Sequence, residues 1–338
     1  MSLNENDSIT SPFCSVVIPT IGRQSVERAV MSVLSQAFEP SDVEVIVVND
    51  SGQPLLPAAW QDDRRVQVLE TSRRERSIAR NAGAAVAAGR YLCFLDDDDW
   101  LLPGALSELW KTARESSDSA WVYGGLRVVD EGGQILGEAN SGLQGRCLAQ
   151  VIGGAWVPLQ GSLICADTFF RVGGFDASIC GTEDQDLCRR VAVDGTFANT
   201  AAVVASLLRG RTWETSTDYL RAADDTRRSR DGVLNESGVY KRLLESASAS
   251  PDSAYWFGRL LRIYWSSVGF NVQRRQVFAA ASRAFLGVAV FFAAGRRTLT
   301  NRYWKGARAS HVPGTLHFIV RDYEQRVGRE PAAISRAG

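Results

Sequence analysis

With 338 residues, 45% of them hydrophobic and 22% charged, the chain can bury one large core with an appendage, or two modest ones, and its composition excludes wholesale disorder. The 38 basic and 38 acidic side chains cancel in total but not locally. Residues 1–257 hold 24 basic and 35 acidic side chains, 258–309 hold 10 basic and none acidic, and 310–338 hold 4 and 3. An acidic body joined to a basic segment points to an anionic partner for that segment. The six cysteines, Cys14, Cys93, Cys147, Cys165, Cys180 and Cys188, form no CxxC pair and match no zinc or disulfide-scaffold spacing. They read as reduced, buried thiols of a cytoplasmic protein.

Residues 1–12 form a polar tail without the basic and apolar regions of a signal peptide. Strands are predicted at 14–19, 43–49 and 65–70, the second almost continuously apolar, as in a parallel strand covered on both faces. The spacing of Val26, Ala29, Val30, Val33, Leu34 and Ala37 predicts a helix over 24–38, and an alanine-rich helix is expected over 77–88, stopped by Gly89. A fourth strand, 90–95, runs directly into Asp96-Asp97-Asp98-Asp99. A helix over 103–116 and a strand over 120–130 follow, then a turn at Gly132-Gly133. The Gly-rich stretch 137–161 is expected to form loops over the site. A helix over 183–193 and a strand over 198–208 close an α/β body of residues 13–213. Strands alternating with helices at this spacing argue for a doubly wound, mostly parallel sheet of Rossmann-like kind, which binds ligands at the carboxyl ends of its strands.

The region 214–338 reads as mostly helical, with an aromatic stripe at Trp256, Leu260, Leu261, Tyr264, Trp265 and Val268. Its longest apolar run, 284–294, is too short to span a bilayer as a helix.

Four adjacent aspartates repel one another unless something positive sits among them. A hard divalent cation, Mg2+ or Mn2+, would resolve that repulsion; a solvated acidic loop is the other reading. Polar groups gather at the same sheet edge: Pro19-Thr20 ends the first strand, Asn49-Asp50 ends the second, and Arg80-Asn81 lies on the helix before the aspartates.

As an ordered set, 15–23, 45–52, 79–83 and 94–100 resemble the motifs of family 2 glycosyltransferases with the GT-A fold. Gly173-Gly174-Phe175-Asp176 and Thr182-Glu183-Asp184-Gln185-Asp186-Leu187 resemble that family's acceptor-side motifs. The resemblance covers about two thirds of the chain and specifies the family, not the sugar. It implies an inverting, metal-dependent enzyme of hexosyltransferase type that draws on a nucleotide-sugar donor, a UDP-sugar. Pro19, Thr20, Arg23, Asn49, Asp50, Arg80, Asn81, Asp96 and Asp97 would then meet the donor nucleotide. Asp98 and Asp96 match the DxD pair that meets Mn2+ or Mg2+, with Asp99 an alternative because the register within four aspartates is ambiguous. Asp184 matches the catalytic base, with Glu183 beside it, and Asp186, Gly161 and Trp156 fall on the acceptor side. Where many relatives carry a histidine, this chain has Leu208-Arg209-Gly210-Arg211-Thr212, so Arg209 or Arg211 would hold the diphosphate. Processive relatives carry a Gln-x-x-Arg-Trp motif and membrane helices that are missing here, which implies transfer of a single sugar. The acceptor implied is a sugar or a lipid-linked saccharide, in synthesis of cell-surface polysaccharide or glycolipid.

The basic segment 258–309 interleaves its charges with aromatic residues. It reads either as a peripheral surface for the inner, anionic face of a membrane or as a helical subdomain packed on the acidic body or in a homodimer. No recognised nucleic-acid-binding motif accompanies it. Two other functions compete: a nucleotide-sugar-binding module without turnover, and a sugar-nucleotidyltransferase. The second lacks its Gly- and Arg-rich loop after the first strand.

Overall fold

The computed structural model describes residues 12–37, 43–73, 75–209, 219–309 and 312. Arg211, the boundary at residue 213 and both histidines lie outside the described residues. Among the described residues nine strands form one sheet, β1 (Cys14–Thr20), β2 (Val43–Asn49), β3 (Val66–Glu70), β4 (Tyr91–Phe94), β5 (Trp100–Leu101), β6 (Ser119–Asp130), β7 (Ile135–Ala139), β8 (Ser162–Cys165) and β9 (Thr196–Arg209). Their order is β3-β2-β1-β4-β8-β6-β9-β5, with β7 beside β6. The first four strands are mutually parallel. Beyond β4 the sheet is mixed, because β8 runs antiparallel to both β4 and β6 while β6 and β9 run parallel.

Helices cover the sheet: α1 (Val26–Leu34), α2 (Arg76–Val86), α3 (Ala105–Glu115), α4 (Leu148–Ile152), α5 (Ala166–Arg171) and α6 (Glu183–Ala192). The C-terminal region adds α7 (Tyr219–Leu234), α8 (Val239–Ala249), α9 (Ser253–Gln273), α10 (Val277–Ala294) and α11 (Asn301–Arg308). The stretch expected as open loops, 137–161, instead contains α4, all of it buried. Its five apolar and amide side chains pack between the sheet and the C-terminal helices. One cluster of buried side chains therefore runs from Phe94 and Trp121 through Leu148 and Val151 to Leu243, Trp256, Leu260 and Tyr303. The α/β body and the C-terminal helices share a core.

Two features of α2 set the site. Its first turn is capped by Glu75, whose carboxylate accepts from the amides of Ser77 and Ile78. At Gly83 a Cβ would lie 2.5 Å from Val17 and 2.9 Å from Val48. Only a bare backbone lets the helix press onto β1 and β2, and this brings Arg80 to the carboxyl edge of the sheet.

The long helix α10 corrects the expectation for the apolar run. Continued by a 3-10 turn, the helical segment Val277–Leu299 has 23 residues, and its most apolar 18-residue window has a mean hydropathy of 1.9, enough by length and composition to cross a bilayer. It nevertheless packs along α9: Arg283 is buried against Asp231 at 3.0 Å, and Asn271 and Ser267 bond the same carboxylate.

The crossing of α9 and α11 is closer still. A Cβ at Gly306 would lie 2.1 Å from the Tyr255 carbonyl oxygen, and one at Gly258 would lie 2.0 Å from that of Tyr303. Gly306→Ala must push the helices apart, and the expected loss is about 1–3 kcal/mol, as for other overpacked sites. A thermal melt reads this directly; an unchanged midpoint would contradict the seating of α11 on α9.

Candidate active site

The parallel register of β1 with β4 pairs Val17 with Phe94, so three residues on, Thr20 arrives beside Asp97. Its hydroxyl donates to Asp97 Oδ2 at 2.7 Å, and both residues are buried. Pro19 precedes it in β1, opposite Val48. Arg23 Nη1 reaches Asp97 at 3.2 Å and Asp98 at 3.1 Å. Arg28 donates to the Asp98 carbonyl at 2.8 Å while its guanidinium lies 3.9 Å over the Trp100 ring. Burial raises the Asp97 carboxyl above its ordinary value. Burial also raises that of Asp98, and Asp96 and Asp97 add to the effect.

Asn49 and Asp50 stand at the next strand end but are largely occupied by their own loop. Asn49 donates to the Gln53 carbonyl and to Glu70, both at 2.7 Å. Asp50 accepts from the Thr71 hydroxyl and from the amides of Arg73 and Glu75, which shapes the approach to α2.

Arg80 sits at the centre, 2% exposed. Its Nη2 donates to Asp96 at 2.5 Å and its Nη1 to Glu183 at 2.9 Å. Burial opposes its charge, but the two carboxylates outweigh burial and hold the guanidinium protonated well above its usual range. Burial likewise opposes the charge on Asp96, and Arg80 again prevails, so this carboxyl is held low. Gln160 donates to the other Asp96 oxygen at 3.0 Å, and Arg76 stands 3.6 Å from Glu183.

Asp184 lies in the first turn of α6, next to Glu183. One oxygen accepts from the Gln185 amide at 2.7 Å; the other takes no hydrogen bond among the described residues. Burial, reinforced by Glu183, pushes this carboxyl up to about 6, although Gln185, Arg80 and Arg189 pull the other way. A carboxylate with one free oxygen and an acidity near neutral is suited to accept a proton.

Several residues grouped by sequence have other work. Asp99 is buried on the far side of the aspartate run and accepts from the Leu208 amide at 3.0 Å. Burial, with Asp96 and Asp98 adding, pushes its carboxyl well up. Its carboxylate thereby ties the aspartate run to β9. Asn81 uses both ends of its amide on the Phe175 backbone, at 2.8 and 2.9 Å, and so clamps the Gly173–Asp176 turn instead of presenting itself to a nucleotide. Asp186 is paired to Arg190 at 2.6 Å. At Gly161, φ is +64° and a Cβ would meet Val204 at 2.9 Å, so the glycine serves close packing on β9. Trp156 packs, partly buried, on a separate group of buried side chains that includes Val16, Leu163 and Val204. Arg209 ends β9, one residue beyond the Leu208–Asp99 bond.

Among the described residues no group of three or more His, Cys, Asp or Glu side chains converges as a metal cage. Magnesium and manganese on a diphosphate need fewer, since phosphate oxygens and water supply most ligands. Asp98 fits that role, with its side chain 38% exposed and its charge opposed by burial. Asp96, already held by Arg80 and Gln160, fits less well. A recess of about 510 Å³ opens elsewhere, at Ser119 and Thr196 where β6 and β9 begin, and contains none of these groups.

Sequence reasoning missed Gln160, Arg76 and Arg28. None belongs to a motif; each is found only through the partner it touches.

The sheet order, with polar groups at the ends of β1 and β2 and just past β4, is GT-A-like. Residues 15–140 match the profile of Glycosyl transferase family 2. The chain is 33% identical over 140 residues to the GalNAc(5)-diNAcBac-PP-undecaprenol beta-1,3-glucosyltransferase of Campylobacter jejuni, covering 39% of this chain and 44% of that protein. It is 30% identical over 127 residues to the poly(ribitol-phosphate) beta-N-acetylglucosaminyltransferase TarP of Staphylococcus aureus, covering 36% of this chain and 38% of TarP. The match thus spans less than half the length of either relative. In structure it is similar to residues 1–349 of S. aureus TarS in complex with UDP-GlcNAc, with a TM-score of 0.57 at 14% identity, covering 93% of this chain and 92% of that one.

Proposed function

We propose that the chain transfers a single sugar from a UDP-sugar to a hydroxyl of a saccharide acceptor, lipid-linked or polymeric, with inversion at the anomeric carbon. The observation that carries this reading is Asp184, whose unbonded oxygen and raised pKa stand beside the Arg80-bridged carboxylates. The acceptor O–H gives its proton to Asp184 as its oxygen forms the new bond to the anomeric carbon. The bond from that carbon to the diphosphate breaks, and the nucleoside diphosphate leaves with the electron pair. One in-line displacement inverts the centre, and one base suffices, unlike the paired carboxylates of glycoside hydrolases. Asp98 would hold Mn2+ or Mg2+, which would supply neutralisation of the charge gathering on the departing diphosphate. Arg23 and Arg80 are fixed cations on the same edge. The relatives support the substrate classes: one is named for an undecaprenol-linked glycan, another for poly(ribitol-phosphate), and TarS is bound to UDP-GlcNAc.

The test is a thermal-shift and turnover panel of nucleotide sugars with manganese, magnesium or chelator. A uridine nucleotide should raise the melting midpoint only with metal present, and Asp98→Ala should abolish that dependence. Stabilisation equal in chelator would remove the metal from the reading. Stabilisation by donor without its consumption in the presence of acceptors would favour a binding module.

A further inference from the structure

The C-terminal helices carry a surface that sugar transfer does not explain. The inward stripe of α10 is Ala280, Arg283, Gly287, Val290 and Ala294, all buried. Its outward stripe holds Phe278, Phe285 and Phe292, seven residues apart and therefore on one face, and these are 94%, 73% and 74% exposed. Val277, Val288 and Leu299 continue the exposed row, and Trp265 of α9, half exposed, flanks it beside Gly287. Single exposed apolar residues are ordinary on any protein, whereas a continuous row is not.

The charges around the row are of one sign. Residues 258–309 contain no acidic side chain. Part of their basic charge is used inward: Arg283 on Asp231, Arg274 on Asp224, Arg302 on Asp252, and Arg259 on the Gly153 carbonyl. Arg275 and Arg296, at the two ends of α10, and Lys305 on α11 are exposed and have no acidic partner among the described residues. Apolar residues along a helix face, with cations at its ends, are the pattern of a helix lying in a headgroup region.

We infer that the outer face of α10 docks on an anionic lipid bilayer, with the helix lying in the membrane plane and Phe278, Phe285 and Phe292 entering the interface. Spanning is opposed by Arg283, buried mid-helix on Asp231, and by α11, which returns to pack on α9. A second copy is the other occupant to consider. A self-complementary contact would set this acid-free face against itself, cation to cation, whereas anionic headgroups satisfy the same charges. The inference stands on the surface alone. Joined to the proposed transfer, it places the enzyme where a lipid-linked acceptor is presented.

The experiment is sedimentation of the intact chain with vesicles of phosphatidylglycerol and phosphatidylcholine, against pure phosphatidylcholine. Binding is expected only with the anionic lipid, and it should weaken as salt rises. The pairs Phe285→Ser with Phe292→Ser, and Arg275→Glu with Arg296→Glu, should each lower the partition at least tenfold while the melting midpoint holds. The inference is overturned if the wild type ignores anionic vesicles or if the phenylalanine pair binds as well as wild type. It is equally overturned if sedimentation velocity finds a dimer that the phenylalanine pair converts to monomer. Donor-induced thermal stabilisation should be the same in wild type and variants, which separates failure of this inference from failure of the transfer reading.

Discussion

Asp184→Asn is expected to lower sugar transfer by about 100- to 10,000-fold, the usual span for loss of a positioned general base, and to leave donor-dependent thermal stabilisation within a few-fold of wild type. The amide keeps the shape of the side chain and can still meet the Gln185 amide, but it cannot take a proton. The pH dependence offers a second reading of the same group. Because burial and Glu183 raise this carboxyl to about 6, the wild-type rate should fall about tenfold per unit as pH drops below that value, and the variant should lack this acid limb. Stability should move the other way. With a native pKa above that of the unfolded chain, the native state binds more protons between about pH 4 and 6, so this group's contribution to stability shrinks as pH rises across that window. Asp184→Asn should therefore melt no lower than wild type at neutral pH. Turnover within threefold of wild type would remove Asp184 as the base.

Arg80→Met should be the most destabilising single change in the site, costing about 3–5 kcal/mol, the range for removing one partner of a buried ion pair. Two carboxylates lose their cation at once: Glu183, 5% exposed at its side chain, and Asp96, 28% exposed. The accessibility of Asp96 to water and the presence of Arg76 at 3.6 Å from Glu183 favour the lower end of that range. The sign of the pH dependence is fixed by Asp96. Its native carboxyl is held below the unfolded value by Arg80, so the stability it contributes is present above about pH 4 and is lost as pH falls through its native pKa. The deficit of Arg80→Met should accordingly be largest at neutral pH and shrink in acid. Arg80→Lys should recover little, since one ammonium cannot bond two carboxylates in the planar geometry seen here. Urea unfolding at pH 7 and pH 4 measures both; a loss under about 1 kcal/mol at pH 7 would refute the assignment.

Much of the body was legible because its signals are local. Continuous apolar runs gave β1, β2 and β4, and the polar residues at or just past their ends, Thr20, Asn49 and Asp96, fall at one edge because parallel strands align their ends. What was not legible depends on contacts distant in sequence. The strand β8 has four residues, too short for periodicity to register, yet it reverses direction and makes the sheet mixed. The helix α4 is buried by partners a hundred residues away, among them Ser246, whose hydroxyl accepts from the Ala149 amide, so its glycine-rich flanks read as open loop. In the aspartate run the sequence shows four equivalent carboxylates. Chain geometry sends Asp99 to β9, Asp97 to Thr20 and Asp96 to Arg80, which leaves Asp98 the least committed. The aromatic content of 258–309 was plain, but its division into buried Tyr264, Phe270 and Tyr303 and exposed Phe278, Phe285 and Phe292 required the helix packing.

The guanidinium of Arg80 is shared between Asp96, just past β4, and Glu183, at the start of α6, and sharing imposes reciprocity. In the proposed transfer, a donor group that bonds Asp96 in place of Arg80 leaves more of the Arg80 charge to Glu183 and, through it, to Asp184, making that group a stronger acid. By thermodynamic linkage the converse holds to the same degree: ionising Asp184 alters the affinity for donor. If Asp184 is the base proposed, its proton affinity is thus a gauge of whether the Asp96 side of the site is occupied.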